Sequence, residues 1–186
     1  RPDGGAAGGS VTTRPTTTTT IPTTTAAPDP AQWLIDENAL PGTLGWQVPD
    51  AAPEVWDRIR GYATATSVNR GGTVDLRVST PAADWRVEAY RTGWYGGAGA
   101  RLVWQSPTLP GLVQPPPVLD PAVGTWTAPW ETNVQVTADS SWPPGMYLLK
   151  LVSSDGGQTY VPLVVRDDAS RAALLTGCYP NRVGMQ

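Results

Sequence analysis

The sequence predicts an all-β fold, an immunoglobulin-like antiparallel β-sandwich, behind a disordered Thr/Pro-rich N-terminal segment. Three observations lead there. Short stretches alternate apolar and polar residues with a period of two, most plainly Val74, Leu76 and Val78 against Thr73, Asp75 and Arg77. Such alternation gives each strand one buried and one solvated face, as in a sandwich and unlike a parallel α/β sheet. Turn-forming clusters punctuate the stretches at Asn69-Arg70-Gly71-Gly72, Pro143-Pro144-Gly145 and Asp155-Gly156-Gly157. The 20 glycines and 20 prolines among 186 residues oppose a helix-rich alternative.

In chain order, residues 1–30 come first as a linker. Ten of the sixteen residues from Ser10 to Thr25 are Thr, broken by Pro15 and Pro22. So little apolar surface cannot offset the entropy of ordering the chain. The tract reads either as a mucin-like stalk holding a domain away from a membrane or wall, the expectation for an exported or cell-surface protein, or as a passive interdomain linker. A domain is expected over 31–168. Trp33, Leu34, Ile35, Ala39 and Leu40 form a short helix before the Pro41-Gly42 turn. Strands follow at Arg60–Ser67, Thr73–Ser79, around Trp85–Tyr90, and at Arg101–Gln105, Asn133–Ala138, Met146–Ser153 and Thr159–Arg166. Asp155-Gly156, between the last two, is a two-strand turn signal. Tyr147 opens a strand just after a Pro-Pro-Gly turn, where a tyrosine corner belongs. Residues 169–186 are a tail, either the start of a further domain or an unrelated segment.

Composition narrows the chemistry. There is no histidine, so imidazole general-base catalysis and His-ligated metal sites are excluded. Cys178 is the only cysteine, so neither an intrachain disulfide nor a thiolate cluster forms. A net charge of −3 and a pI near 4.8 leave no footprint for nucleic acid. No apolar run approaches the ~18 residues a membrane-spanning helix needs. No catalytic or metal-binding residue is assigned.

The densest local feature is the run from Tyr90 to Arg101, with four glycines between Gly93 and Gly99. It lacks the Gly-x-x-x-x-Gly-Lys pattern of a phosphate loop. One reading exposes Trp94, Tyr95 and Arg101 as a recognition loop. The favoured reading packs the aromatics beneath a tight connection between strands. Trp94, Trp104, Trp126 and Trp130 are also candidates for stacking on sugar rings, the basis of an alternative function as a polysaccharide- or wall-binding module. The adjacent carboxylates Asp167-Asp168 point apart on a chain leaving a strand, and read as surface charge.

Several motifs in order carry a family resemblance: Gly61-Tyr62-Ala63, Thr66-Ser67-Val68, the strand Val74–Thr80, the run Tyr90–Arg101, and Tyr160–Asp168. Together they resemble the N-terminal sandwich region of proteins similar to the N,N-dimethylformamidase large (beta) subunit. Glu37-Asn38-Ala39-Leu40-Pro41-Gly42-Thr43 resembles the lead-in of exported members. The resemblance implies a sandwich module ahead of a larger amide-hydrolysing domain that is its partner. It also implies that the iron site of that enzyme, with Tyr and Glu ligands, belongs to the larger domain, so this chain carries no cofactor. The parent is then an amide hydrolase and this chain a non-catalytic part of it. Residues 169–185 separately resemble a sulfatase active-site segment, but Asp167 stands where the Cys or Ser precursor of formylglycine would be. That implies at most an inactive, truncated sulfatase-like piece. Limited proteolysis is expected to trim the chain before Trp33 and leave a resistant core; early cuts throughout 70–165 would contradict the sandwich.

Overall fold

The computed structural model describes residues 32–49 and 57–167; the linker over 1–30 and the tail over 169–186 lie outside the described residues. The chain runs through helix α1 (Gln32–Asn38) and strands β1 (Arg60–Ala63), β2 (Ser67–Asn69), β3 (Thr73–Ser79) and β4 (Asp84–Thr92). A single 3-10 turn at Tyr95–Gly97 leads to β5 (Ala100–Gln105), β6 (Leu109–Pro110), β7 (Val118–Asp120) and β8 (Thr125–Thr127). The chain then forms β9 (Val134–Thr137), β10 (Gly145–Ser153) and β11 (Gln158–Arg166).

Two sheets face each other. One is ordered β1-β3-β9, and the other β2-β11-β10-β4-β5 with β6 paired to β4. All neighbours are antiparallel except β2, which runs parallel to β11. This is the immunoglobulin-like arrangement, in which the first strand contributes to both sheets. The expected single strand over Arg60–Ser67 is therefore two. Its first half pairs with β3, and after Thr64 donates its N–H to the Asp75 carbonyl the chain crosses to lie beside β11.

Alternation decides which side chains meet between the sheets. Val74, Leu76, Val78 and Val136 come from one sheet; Trp85, Val87, Ala89, Tyr147, Leu149, Leu151, Val161, Leu163 and Val165 come from the other. Trp85 sits on β4, the position of the buried Trp in such sandwiches. Tyr147 donates its phenol proton to the Pro143 carbonyl over 2.7 Å and stacks on Trp142 with centroids 4.9 Å apart. That is a tyrosine corner. Two residues on, where antibody domains carry the second cysteine, stands Leu149. It is fully buried in one cluster with Leu76, so apolar packing serves where a disulfide otherwise would.

Two findings were not foreseen. The hairpin β7–β8 joins neither sheet, and its residues are exposed on both sides. Its Pro115-Pro116-Pro117 lead-in and short strands show no alternation to read. Second, Glu88 and Tyr90 of β4, expected on a solvated face, are buried, as is Lys150 of β10. The segment 42–48 covers them: Lys150 Nζ donates to the carbonyls of Gly45 (2.8 Å) and Gln47 (2.9 Å), and the Tyr160 hydroxyl accepts from Val48 N–H (2.8 Å) and donates to the Trp46 carbonyl.

Replacing Leu149 with Ala is expected to cost about 2–5 kcal/mol in urea unfolding, whereas Leu119→Ala on the outlying hairpin should change stability by less than about 0.5 kcal/mol.

Candidate functional site

The run from Tyr90 to Arg101 forms the end of β4, a sharp turn, and the start of β5. Gly93 N–H donates to the Gly99 carbonyl over 3.0 Å, closing the turn at its base. Within it Tyr95 has φ +41, the only non-glycine residue with positive φ among the described residues, followed by Gly96 (+64), Gly97 (+93) and Gly99 (+85). Glycine tolerates this region freely. A tyrosine does not, and such a residue costs of order 1–3 kcal/mol unless its surroundings over-determine it.

The surroundings do so. Glu37, the one buried residue of α1, accepts from the Tyr95 hydroxyl at 2.7 Å and from Arg101 Nε and Nη2 at 2.9 and 2.6 Å, all on Oε1. Arg91 Nη1 donates to the same hydroxyl over 2.8 Å, while its Nε and Nη2 grip the Pro144 carbonyl. The Arg91 guanidinium also lies 5.8 Å from the centroid of the Trp33 ring. Burial, then the bond to Glu37, raises the Tyr95 pKa; for Arg101 burial acts downward and the Glu37 carboxylate outweighs it, so its pKa is raised. On the other side, Gly42 backs onto the turn so closely that a Cβ there would come within 2.6 Å of the Cβ atoms of Tyr95 and Ala98.

Tyr95 and Trp94 thus part company. Tyr95 is 3% exposed, but Trp94 is 71% exposed. The expectation that both rings pack beneath the turn is corrected for Trp94. The positive φ at 95 sends consecutive side chains to opposite sides, and buried Arg91 and Glu37 hold the phenol between them. Trp94 is held by its backbone, donating its N–H to Asn38 Oδ1 over 2.9 Å. Its ring lines a groove with Leu34, Ile35, Asn38, Ala39 and Gly96. A second cleft flanks the other side of α1, lined by Trp33, Leu40, Pro143 and Pro144 with Asp36 and Arg70 among them.

Of the remaining candidates only Arg101 joins this site. Trp104 is partly buried, tilted against Trp142 at 6.2 Å and packed on the core. Trp130 sits against Tyr62 at 5.6 Å and donates its indole N–H to the Pro115 carbonyl, covering the outer face of the β1-β3-β9 sheet. Trp126 is 67% exposed on β8. Arg101 is partly buried in the ion pair with Glu37. Glu37, Asn38 and Arg91 went unremarked as site residues in the sequence; the signal available was the lead-in motif that begins at Glu37.

Tyrosine and glutamate do meet in two places, but neither suits a metal ion. Glu37–Tyr95 is flanked by the guanidiniums of Arg91 and Arg101. Glu88, which accepts from the Tyr90 hydroxyl at 2.9 Å, also carries Arg86 at 2.6 Å. Resident positive charge already neutralises both carboxylates and would repel a cation. No cluster of three or more His, Cys, Asp or Glu side chains able to hold a metal occurs among the described residues.

Four tyrosines, Tyr90, Tyr95, Tyr147 and Tyr160, have their pKa raised above the ordinary phenol value, chiefly by burial. The folded state holds these protons more tightly than the unfolded state, so their contribution is whole below about pH 10 and is lost as pH rises above it. Lys150, whose pKa burial lowers, acts the opposite way just below the ordinary lysine value. Four groups outweigh one. Denaturant unfolding at stepped pH should therefore show a steep loss of stability above about pH 10, and a flat profile to pH 12 would contradict the burial of these phenols.

Of the comparisons with known proteins, the family match agrees with the motifs Tyr90–Arg101 and Tyr160–Asp168, which lie inside it. No curated protein matches the chain. Among solved structures, the 1.4 Å crystal structure of an uncharacterized protein from Bacillus anthracis str. Ames aligns at 14% identity and a TM-score of 0.30, covering 53% of this chain and 78% of that one. Domain 1 of VCBP3 from Branchiostoma floridae aligns at 12% identity and a TM-score of 0.28, covering 57% and 94%. The assignment of fold rests on the strand order, not on these loose likenesses. Residues 86–178, half of the chain, match the family described as "N,N-dimethylformamidase beta subunit-like, C-terminal". That stretch starts inside β4 and runs past β11 to residue 178. Its description reads C-terminal where the resemblance pointed to an N-terminal region, so kinship with the beta subunit holds and the position within it does not follow. With half of its length inside that match, the chain belongs to the N,N-dimethylformamidase beta subunit-like family.

Proposed function

We propose that this chain is a non-catalytic sandwich module of an exported, N,N-dimethylformamidase-like protein, and that it docks a separate catalytic domain through the face built from α1 and the Trp94 turn. The carrying observation is the fate of its buried charges. Glu37, Glu88, Arg91 and Lys150 are each engaged by internal partners. Catalysis needs an acid or base free to meet a substrate, and a chain without histidine has few substitutes. Iron held by Tyr and Glu would then belong to the docked domain. The Thr/Pro tract supports an exported or cell-surface setting.

Docking to protein is favoured over binding to polysaccharide. An exposed indole suits either partner, but sugar hydroxyls need polar groups beside the ring. The groove offers only one side-chain amide, and it is spent: Asn38 Oδ1 accepts from Trp94 N–H and its Nδ2 donates to the Leu34 carbonyl over 2.9 Å. No charged residue lines the groove. Leu34, Ile35 and Trp94, all exposed, match the apolar centre of a protein interface with its aromatic anchor.

The purified chain incubated with ferrous or ferric iron is expected to retain no stoichiometric metal after desalting and to release no dimethylamine from N,N-dimethylformamide. It should also fail to co-sediment with cellulose, chitin or peptidoglycan. Turnover that survives repurification would overturn the non-catalytic reading. Retention on one of the polymers, abolished by Trp94→Ala, would establish the polysaccharide alternative instead.

A further inference from the structure

The strained turn and the helix beside it are joined by very few atoms, and those atoms are mutually dependent. Tyr95 holds its positive φ while its hydroxyl lies between a donor, Arg91 Nη1, and an acceptor, Glu37 Oε1. Glu37 comes from α1, 58 residues away in sequence. Asn38, the next residue on α1, caps the backbone N–H of Trp94. Most of the other side chains of α1, including Trp33, Leu34, Ile35 and Asp36, remain exposed. The polar grip of the helix itself runs through Glu37, Asn38 and the Trp33 ring beside Arg91, while the chain just after it holds the far side of the turn through Thr43 N–H on the Ala100 carbonyl and the Trp46 indole on the Ala98 carbonyl.

We propose that Glu37 is a latch that makes helix α1 and the Trp94 turn one two-state unit, so that the groove between them exists only while α1 is seated. With α1 seated, the carboxylate neutralises Arg101 and orders the Tyr95 phenol, which keeps the turn strained and Trp94 displayed. With α1 lifted, Tyr95 loses its acceptor and Trp94 its cap. Arg91, only 3% exposed, and Arg101 then share a pocket without the anion that compensates them. An uncompensated buried cation is unfavourable, and the turn loses the Glu37 and Asn38 bonds that help over-determine it. The raised pKa of Tyr95 is consistent with a phenol kept neutral by burial and by Glu37.

This couples two distant stretches of sequence. A partner seated in the groove would reciprocally hold α1 down, since coupling between two events is the same in both directions. The interaction surface is thereby conditional on helix α1, although Trp94 lies in the middle of the chain.

Hydrogen exchange on the whole chain tests the coupling without a partner in hand. Glu37→Gln keeps the side-chain shape and removes the charge; Tyr95→Phe removes only the hydroxyl. Each variant is expected to raise exchange over 33–40 and over 93–99 together, by the same factor of about tenfold, with β3, β4 and β10 unchanged through 74–78, 85–89 and 147–151. Reciprocity is the decisive reading: Tyr95→Phe, which lies in the turn, must loosen the helix. The latch is overturned if either variant loosens one segment and leaves the other at its wild-type rate, if both segments stay protected, or if the core strands exchange faster to the same degree.

Discussion

Once the outer face of a sheet is covered, every charge on it must find a partner, and that requirement organises this protein. Glu88, Tyr90 and Lys150 point away from the apolar core and are nonetheless buried. Left unpaired there, they would cost several kcal/mol each. The segment 42–48 meets the need with backbone, offering the Gly45 and Gln47 carbonyls to Lys150, while Arg86 closes on Glu88. Helix α1 meets it at one end with Glu37, set between Arg101 and the Tyr95 phenol. Residues 32–48 are thus a third layer and not a lead-in to be discarded. They fix where the Trp94 turn can stand.

The two outer faces are covered by different means. On the β1-β3-β9 sheet, Trp130 lies over Tyr62, whose hydroxyl donates to the Ala128 carbonyl. The cover there comes from the excursion between β6 and β9 and is largely aromatic. On the opposite sheet the cover is polar and charge-matched. Only the second arrangement places strain at the surface. The aromatic cover half-buries its anchor, while the polar cover displays an indole beside two exposed aliphatic side chains. An interaction surface is consistent with this asymmetry, because a domain with no use for the display would gain stability by relaxing Tyr95 and tucking Trp94 away.

Family membership and geometry meet at the same residues. The motif from Tyr90 to Arg101 carries much of the resemblance, and it is also the segment that holds the positive-φ turn and both guanidiniums of the latch. The lead-in that begins at Glu37 supplies the anion for them. The two motifs, far apart in sequence, therefore describe one physical object. Their chemistry is that of a neutralised, hydrogen-bonded cluster.

The strand pattern, the Asp155-Gly156 turn and the tyrosine corner were legible in the sequence because each rests on local rules. Alternation over Thr73–Ser79 and Trp85–Ala89 is a statement about neighbouring residues, and the inward face follows from it directly. The absence of histidine likewise bounded the chemistry with no structure needed. What the sequence could not decide was which outward faces stay wet. Glu88 and Tyr90 read as solvent-facing because the residues that cover them, 42–48, lie about forty positions away in sequence. The same holds for the aromatic pair at 94 and 95, where glycine content announced a tight turn but not which ring would go inward. That choice belongs to Glu37 and Arg91, which reach the phenol only after α1 and β4 have been brought to the same end of the sandwich. Periodicity reports the environment a strand makes for itself; the burial of its outer face depends on segments that periodicity does not describe.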